Sequence, residues 1–421
     1  MPFYNQELLT KKLSLYGFLL ILLGAGFYGY ETLLRISLGP VGSILREHFG
    51  LSAATFSLFG TVFFYAYAPM QILVGILVDK FNIKVIAVLS ILICALGTLL
   101  ISVSNNFEWA LIGRFLQGFG AAFGYVTALK IATLAFPTRL FGLAVGFIAS
   151  VGFICGGLGS MMISTLQIQT SISWSFIFQG IFVLGVFLSF LFLVTLKIDA
   201  KNLKKESFWK ILLKGVIDAA DTLKSIKIWA LALFAAFTFL PTTMFADLWG
   251  DTYLQIVSNY NASEAVFAVS MIFYGWAVGS VVIGWVSDFF DNKIRLMRVN
   301  ISIAVVISII VLYIPLPYLL VCILFFAFGV LSASQTICYI TVAKIIPSKK
   351  KQGTAMGCIN MITSFIGLFL TQVLGFLLEF MQSGKISDNI VINDAQHYQL
   401  GMMIVPISLG IGVVLSFLIK E

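Results

Sequence analysis

The stretch Gly75–Lys84 reads GILVDKFNIK, and Gly284–Arg295 reads GWVSDFFDNKIR. Each closes an apolar run with a glycine, then an aspartate four residues on, then lysine or arginine. The surroundings explain why that is unusual. The chain of 421 residues is 60% hydrophobic and only 10% charged, whereas a soluble domain carries roughly 25% charged residues. No soluble core hides so much Phe, Leu, Ile and Val. The expected solvent is lipid.

Working outward from the two stretches, apolar runs of about 20 residues, enough for one membrane crossing each, can be placed along the whole chain. They fall near 15–38, 53–78, 84–104, 107–130, 140–164 and 173–196, then near 228–252, 264–286, 297–315, 317–343, 354–381 and 397–419. The ninth and tenth are divided only by Pro315-Leu316-Pro317. The runs are continuous and lack period-two alternation, so helices rather than a barrel are expected. The fold class is an all-α polytopic membrane protein. Its twelve transmembrane helices form two six-helix halves, residues 1–196 and 228–421, joined by a linker, 197–227.

Lysine and arginine gather on the cytoplasmic side of membrane proteins. With both termini inside, Arg46 and Lys385 fall in outer loops, Arg35 and Arg114 fall within spans, and every other Lys and Arg lies inside. The +8 net charge is therefore topology, and no nucleic-acid partner is expected. No cleavable signal peptide is expected either, since the first apolar run is long and lacks a small-residue cleavage pattern. The five cysteines, Cys94, Cys155, Cys322, Cys338 and Cys358, sit at irregular spacing inside spans and read as packing residues. His48 and His397 fall in outer loops. No nucleophile elbow, phosphate-binding loop or His-Cys-carboxylate cluster is present, so neither an enzyme, a metal nor a cofactor is expected.

The opening pair is an internal repeat. Both copies lie on the inner face, after spans 2 and 8, at equivalent places in the two halves. FPTRLFGLAVG (Phe136–Gly146) and IPSKKKQGTAMG (Ile346–Gly357) form a second pair, after spans 4 and 10. Parallel repeats of this kind mark secondary transporters.

On these motifs the chain resembles the major facilitator superfamily over nearly its whole length. Gly75, Leu77, Asp79, Lys80 and Lys84 are similar to that family's loop motif, with Asn82 where Gly is usual, a residue that also tolerates left-handed backbone. Gly284, Asp288 and Arg295 fit the second copy. GRFLQGFGAA (Gly113–Ala122) resembles the fourth-helix motif through Arg114, Gln117, Gly118 and Gly120. The resemblance implies a cytoplasmic gate formed by Gly75, Asp79, Lys80, Lys84, Arg139, Gly284, Asp288 and Arg295. In it Asp79 meets the N-terminus of span 11 near Gly353, and Asp288 that of span 5 near Gly142. A carboxylate at a helix N-terminus contributes roughly 0.3–1 kcal/mol, or about 2 when partly buried. Span 5 carries Gly157 where drug-exporting members carry the Pro of a Gly-Pro motif, which weighs against drug export.

The resemblance also implies that spans 1, 4, 7 and 10 line a central cavity. Polar residues within spans are costly and mark function. Here they are Glu31 and Arg35 in span 1, Arg114 in span 4, Asp247 in span 7, and Gln335 and Tyr339 in span 10. Asp251, one turn beyond Asp247, is expected to reach the outer interface. Glu31 and Arg35 could brace each other at i, i+4, and Arg114, being part of a family-wide motif, reads as structural or coupling. Arginine suits a carboxylate, and Glu31 or Asp247 suits an amine or a coupling proton, with Glu379 a poorer candidate. Organic-phosphate exchangers pair bases from spans 1 and 7, and span 7 has none. The expected function is proton-coupled uptake, by alternating access, of an amino acid, short peptide or other carboxylate-bearing metabolite. The alternatives are an exporter of a drug or siderophore, or a transporter-like sensor. The linker, rich in Lys and patterned at helical spacing, is expected to lie on the inner membrane surface. The expected setting is a monomer in a bacterial inner membrane.

Overall fold

The computed structural model describes residues 15–135, 141–196, 208–289, 293–345, 349–383 and 394–419. These residues are helical almost throughout. Eleven of the helices are long and apolar enough to cross a membrane. Span 4 completes the twelve as two shorter helices, Phe107–Ala121 and Gly124–Ala135. Spans 2, 3, 5, 6, 8, 9 and 11 run unbroken, as Ala53–Lys80, Ile83–Val103, Phe141–Gln169, Trp174–Thr195, Ala262–Phe289, Lys293–Tyr313 and Lys349–Ser383. Their lipid-facing residues, such as Leu96, Phe187, Val306 and Phe369, are exposed and apolar. Bare Leu and Phe have no reason to avoid hydrocarbon, so this is a membrane protein's surface.

The spans that the resemblance assigns to the cavity are built differently. Span 1 (Leu15–Ile36) gives way to a tight turn, Gly39–Val41, and a short helix, Gly42–Phe49. Span 4 breaks at Ala122 and Phe123. Span 7 begins as Ile226–Leu240 and widens into a π-helical stretch, Pro241–Trp249. It then resumes as Gly250–Val257. Pro241 starts the wide stretch because it has no N–H to donate, and the Gly250 N–H reaches back five residues to the Phe245 carbonyl. Span 10 runs Tyr318–Ser332, tightens at Ala333–Gln335, and continues as Thr336–Ile345. Irregular backbone at membrane depth is tolerated where protein buries it or a cavity borders it.

Packing within each half depends on close backbone approach. A Cβ on Gly118 would lie 1.9 Å from the Phe63 carbonyl oxygen, and one on Gly329 2.1 Å from that of Ile272. Small residues substitute for the hydrophobic drive that lipid removes. The cysteines pack as expected, all free and all buried except the half-buried Cys155. Two expectations change. His397 is buried, inside the helix Asp394–Met402 that leads into span 12 (Ile404–Leu418). Asn82 is not left-handed: at φ −63° it is extended, and its side chain caps span 3 by accepting from the Lys84 N–H at 2.9 Å.

The linker contains a helix, Phe208–Thr222. Gly215 and Ala219 are buried against Ile76 of span 2 and Cys358 of span 11, so this helix touches both halves. Lys210, Leu213, Lys214, Val216 and Ile217 are exposed on it.

Candidate functional site

Arg35 occupies the last turn of span 1, with 8% of its surface exposed. Its Nε lies 3.0 Å from Oδ2 of Asp247, which the wide stretch of span 7 carries in from the other half. The two groups meet through this one ion pair, and its alignment is poor for a hydrogen bond. Arg35 Nε and Nη2 and both Asp247 oxygens have no hydrogen-bond partner among the described residues. Two buried opposite charges thus hold each other while keeping unused donors and acceptors. Asp251 is also buried, not at the interface, and its Oδ1 is likewise unpartnered among the described residues.

Glu31 does not brace Arg35. One turn earlier on span 1, its Oε2 accepts the Tyr125 N–H at 3.1 Å. The break in span 4 frees that N–H and presents a helix N-terminus to a carboxylate, the arrangement that helix dipoles favour. Gly124 leaves room for this contact: a Cβ there would sit 2.4 Å from Glu31 Oε2 and displace the carboxylate. Tyr28, Tyr67 and Tyr125 surround the same carboxylate within electrostatic reach.

Arg114 is committed elsewhere. Its Nη1 donates to the Leu34 carbonyl at 2.7 Å and to Gln117 Oε1 at 2.9 Å, and its Nη2 donates to the Arg35 carbonyl at 2.7 Å. Both carbonyls belong to the last turn of span 1, where intrahelical donors run out, and the Leu34 carbonyl also accepts from the Ser37 hydroxyl at 2.8 Å. Gln117 passes the connection on to Thr98 at 2.8 Å. Arg114 therefore fixes where span 1 ends, and with it the position of Arg35.

A family model described as Major Facilitator Superfamily matches residues 16–371. The chain belongs to the Major Facilitator Superfamily. It is an integral membrane protein and a secondary transporter, not an enzyme. Among curated relatives, it is 23% identical over 404 residues to the "Probable sulfoacetate transporter SauU" of Cupriavidus necator, covering 92% of this chain and 90% of that one. It is 25% identical to the "Gentisate transporter" of Corynebacterium glutamicum, over 84% and 78% of the two chains. A "D-galactonate transporter" of Escherichia coli matches at 24%, over 62% and 64%. Among solved structures, a bacterial homolog of the human lysosomal transporter Spinster, inward-facing and occupied, superposes with a TM-score of 0.77 at 19% identity. That alignment covers 96% of this chain and 97% of the other.

The remaining superfamily positions divide by location. Tyr339 of span 10 donates to Asn360 Oδ1 of span 11 at 3.3 Å, and Asn360 Nδ2 donates to Gln71 Oε1 of span 2 at 2.9 Å. Gln335 is buried at the bend of span 10. Of the residues expected to form the cytoplasmic gate, Gly75 is exposed with open space beside it, and Arg295 is exposed at the start of span 9. Arg139 and the side chains of Asp79, Lys80 and Asp288 lie outside the described residues, as does any contact of Gly284.

A latch unforeseen from sequence joins the halves at the opposite end of span 2. Glu379 of span 11 accepts from Ser52 Oγ at 2.6 Å and from the Ala54 N–H at 3.1 Å. Gln372 donates to the Ala54 carbonyl at 3.1 Å and accepts from Thr61 Oγ1 at 3.0 Å. Nearby, Trp249 donates to Ser57 Oγ at 3.2 Å and packs edge-on against Phe56. The sequence signal for the latch was a lone acid late in an apolar run.

Proposed function

We propose that this transporter takes up an organic carboxylate together with a proton, with Arg35 as the carboxylate's partner. The observation that carries the reading is the buried Arg35–Asp247 pair, which bridges the halves with bonding capacity to spare. A substrate carboxylate can replace Asp247 on the guanidinium, since Arg binds carboxylates through two parallel hydrogen bonds. Asp247, stripped of its counter-charge in a dry interior, then takes up a proton, because an unpaired buried charge is far costlier than a neutral acid. Substrate and proton thereby enter as one event. Glu31 is the second candidate for the proton: protonation weakens its hold on Tyr125 and so on the break in span 4. Gln335 and Tyr339 complete the pathway from the other half.

Three relatives named for sulfoacetate, gentisate and D-galactonate support a carboxylate in preference to an amine-bearing solute. The engagement of Asp247 with Arg35 weighs the same way, because an ammonium group would have to compete with the arginine for that carboxylate. With both termini cytoplasmic in a bacterial inner membrane, the Glu379 latch is the outer gate. The Asp79 and Asp288 loops then form the inner one.

The test is uptake into proteoliposomes under an inward proton gradient. Arg35→Ala is expected to abolish carboxylate transport. Asp247→Asn is expected to keep exchange of labelled for unlabelled substrate while losing accumulation against a gradient. Undiminished uptake by Arg35→Ala at unchanged KM would remove the proposal. Net accumulation in vesicles also separates a transporter from a sensor, which binds without turnover.

A further inference from the structure

We infer that the carboxylate accepted at Arg35 is carried on an aromatic ring, an inference that rests on Arg35 being the carboxylate's partner. The guanidinium carbon lies over the ring of Phe239, 5.7 Å from its centroid. Phe239 meets Trp276 of span 8 edge-on at 5.5 Å and 88°, and Trp276 stacks on Phe153 of span 5 at 5.0 Å and 21°. The indole is held in that orientation by its Nε1–H, which donates to Thr242 Oγ1 at 2.9 Å. An aromatic wall built from both halves therefore flanks the arginine.

Planarity gives this wall a purpose. A bidentate arginine–carboxylate pair is coplanar with the guanidinium. A carboxylate conjugated to a ring is coplanar with that ring. Guanidinium, carboxylate and ring then lie in one plane, which carries the substrate ring outward from the arginine along the side that Phe239 flanks. Offset and edge-on ring pairs are the favoured arrangements. On the Glu31 side, Tyr28 and Tyr125 pair at 4.9 Å, and Tyr67 stacks on Phe63 at 5.7 Å. Phe239 and these three tyrosines are half-buried, unlike Arg35 and Glu31, so they border whatever space opens beside the charged residues. A polyhydroxylated acid would instead draw on the hydroxyls of these tyrosines and on Gln71 Nε2, which has no partner among the described residues, and gluconate is the acid that tests for it.

The experiment is isothermal titration of the detergent-purified protein with three acids. They are 4-hydroxybenzoate, its saturated ring analogue trans-4-hydroxycyclohexanecarboxylate, and gluconate. Wild type, Phe239→Leu, Phe239→Tyr and Arg35→Ala are compared, each first shown to be monodisperse with an intact thermal transition. Wild type is expected to prefer the benzoate by about five- to tenfold, the scale of one good ring contact. Phe239→Leu should erase that preference while still binding carboxylates, and Phe239→Tyr should keep it. If gluconate or the saturated acid binds as tightly, and Arg35→Ala abolishes that binding, the aromatic inference is overturned while the carboxylate reading stands. If none of the three binds in an Arg35-dependent way, both fall.

Discussion

Two seams join the halves of this transporter, and they are made of different materials. Spans 2 and 11 meet through polar groups along their length, from Ser52 and Glu379 at one end to Gln71 and Asn360 toward the other. Spans 5 and 8 meet through packing. Gly157 lies against the ring of Tyr274, Phe153 stacks on Trp276, and the hydrogen bonds are single hydroxyls, Ser150 to the Ala277 carbonyl at 2.9 Å, Ser270 to that of Gly157 at 3.3 Å and Tyr274 to Met161 Sδ at 3.2 Å. Water can replace each bond of the first seam as it opens, so its net worth is about 0.5–1.5 kcal/mol per bond. No solvent replaces a lost van der Waals fit. The polar seam is therefore suited to opening, and the packed seam to serving as the surface on which the halves rock.

The largest effect is expected from spoiling the packed seam. A Cβ on Gly157 would stand 2.7 Å from Tyr274 Cε1 and 3.0 Å from its Cζ. Gly157→Leu must push the ring away, and overpacking of this kind costs about 1–3 kcal/mol. Transport in proteoliposomes should fall about tenfold or more, with normal expression. Tyr274→Ala in the same chain should restore much of it. A Gly157→Leu protein with wild-type rates would mean that the seam is looser than its contacts imply.

Next comes the latch. Glu379→Ala removes the acceptor for both Ser52 and the Ala54 N–H, a change on the scale of losing a helix N-cap, about 1 kcal/mol. Labelling of Ala54→Cys by a membrane-impermeant maleimide should rise about fivefold. Glu379→Gln keeps an acceptor oxygen but loses the charge, so its labelling should fall between wild type and Glu379→Ala. Equal labelling in all three would show that this end is sealed by Trp249 and its aromatic neighbours instead.

What was legible from sequence follows the same division of materials. Apolar runs, basic loops and the repeated Gly75 and Gly284 motifs reveal the fold, because lipid imposes length and composition on every span. Residue types in spans pointed to Arg35, Glu31 and Asp247, since burying charge without purpose is costly. The pairing was not legible. An i, i+4 spacing joins Glu31 to Arg35 on paper, but the break in span 4 offers Glu31 a free N–H, and the wide turn after Pro241 brings Asp247 to Arg35. Each break has a local mark, Gly124 after the first and Pro241 at the start of the second, but neither mark says which distant side chain will use the backbone it frees. Glu379 was undervalued for a related reason. Its partner is the start of a helix more than three hundred residues earlier, and no local pattern encodes that meeting.

Further along the polar seam, Asn360→Leu would cut the chain from Tyr339 to Gln71 and leave the Gln71 amide without its partner. The expected loss is about 1 kcal/mol of the closed arrangement. It should appear as a roughly fivefold change in the balance between outward and inward accessibility, read by paired cysteines across spans 2 and 11. Gln71→Leu and Tyr339→Phe on top of Asn360→Leu should recover most of the change, because removing all three linked groups leaves none of them unsatisfied. Additive losses would mean that each side chain has a separate role in the pathway.

The smallest effect sharpens the contrast. Ser150 donates to a carbonyl, that of Ala277, lying inside a continuous helix, where it already accepts an intrahelical bond. Deleting the hydroxyl therefore strands no buried donor or acceptor, unlike deleting Asn360. Ser150→Ala should change transport rate by less than about twofold and unfolding temperature by about a degree, because a redundant acceptor loses little. The side chain shrinks by one atom, and the small-residue contact between spans 5 and 8 is retained. Measured beside Glu379→Ala, it asks whether hydrogen bonds matter equally at the two seams. A loss as large as that of Glu379→Ala would show that the packed seam, too, is held by its polar contacts, and the distinction between an opening seam and a rocking one would fail.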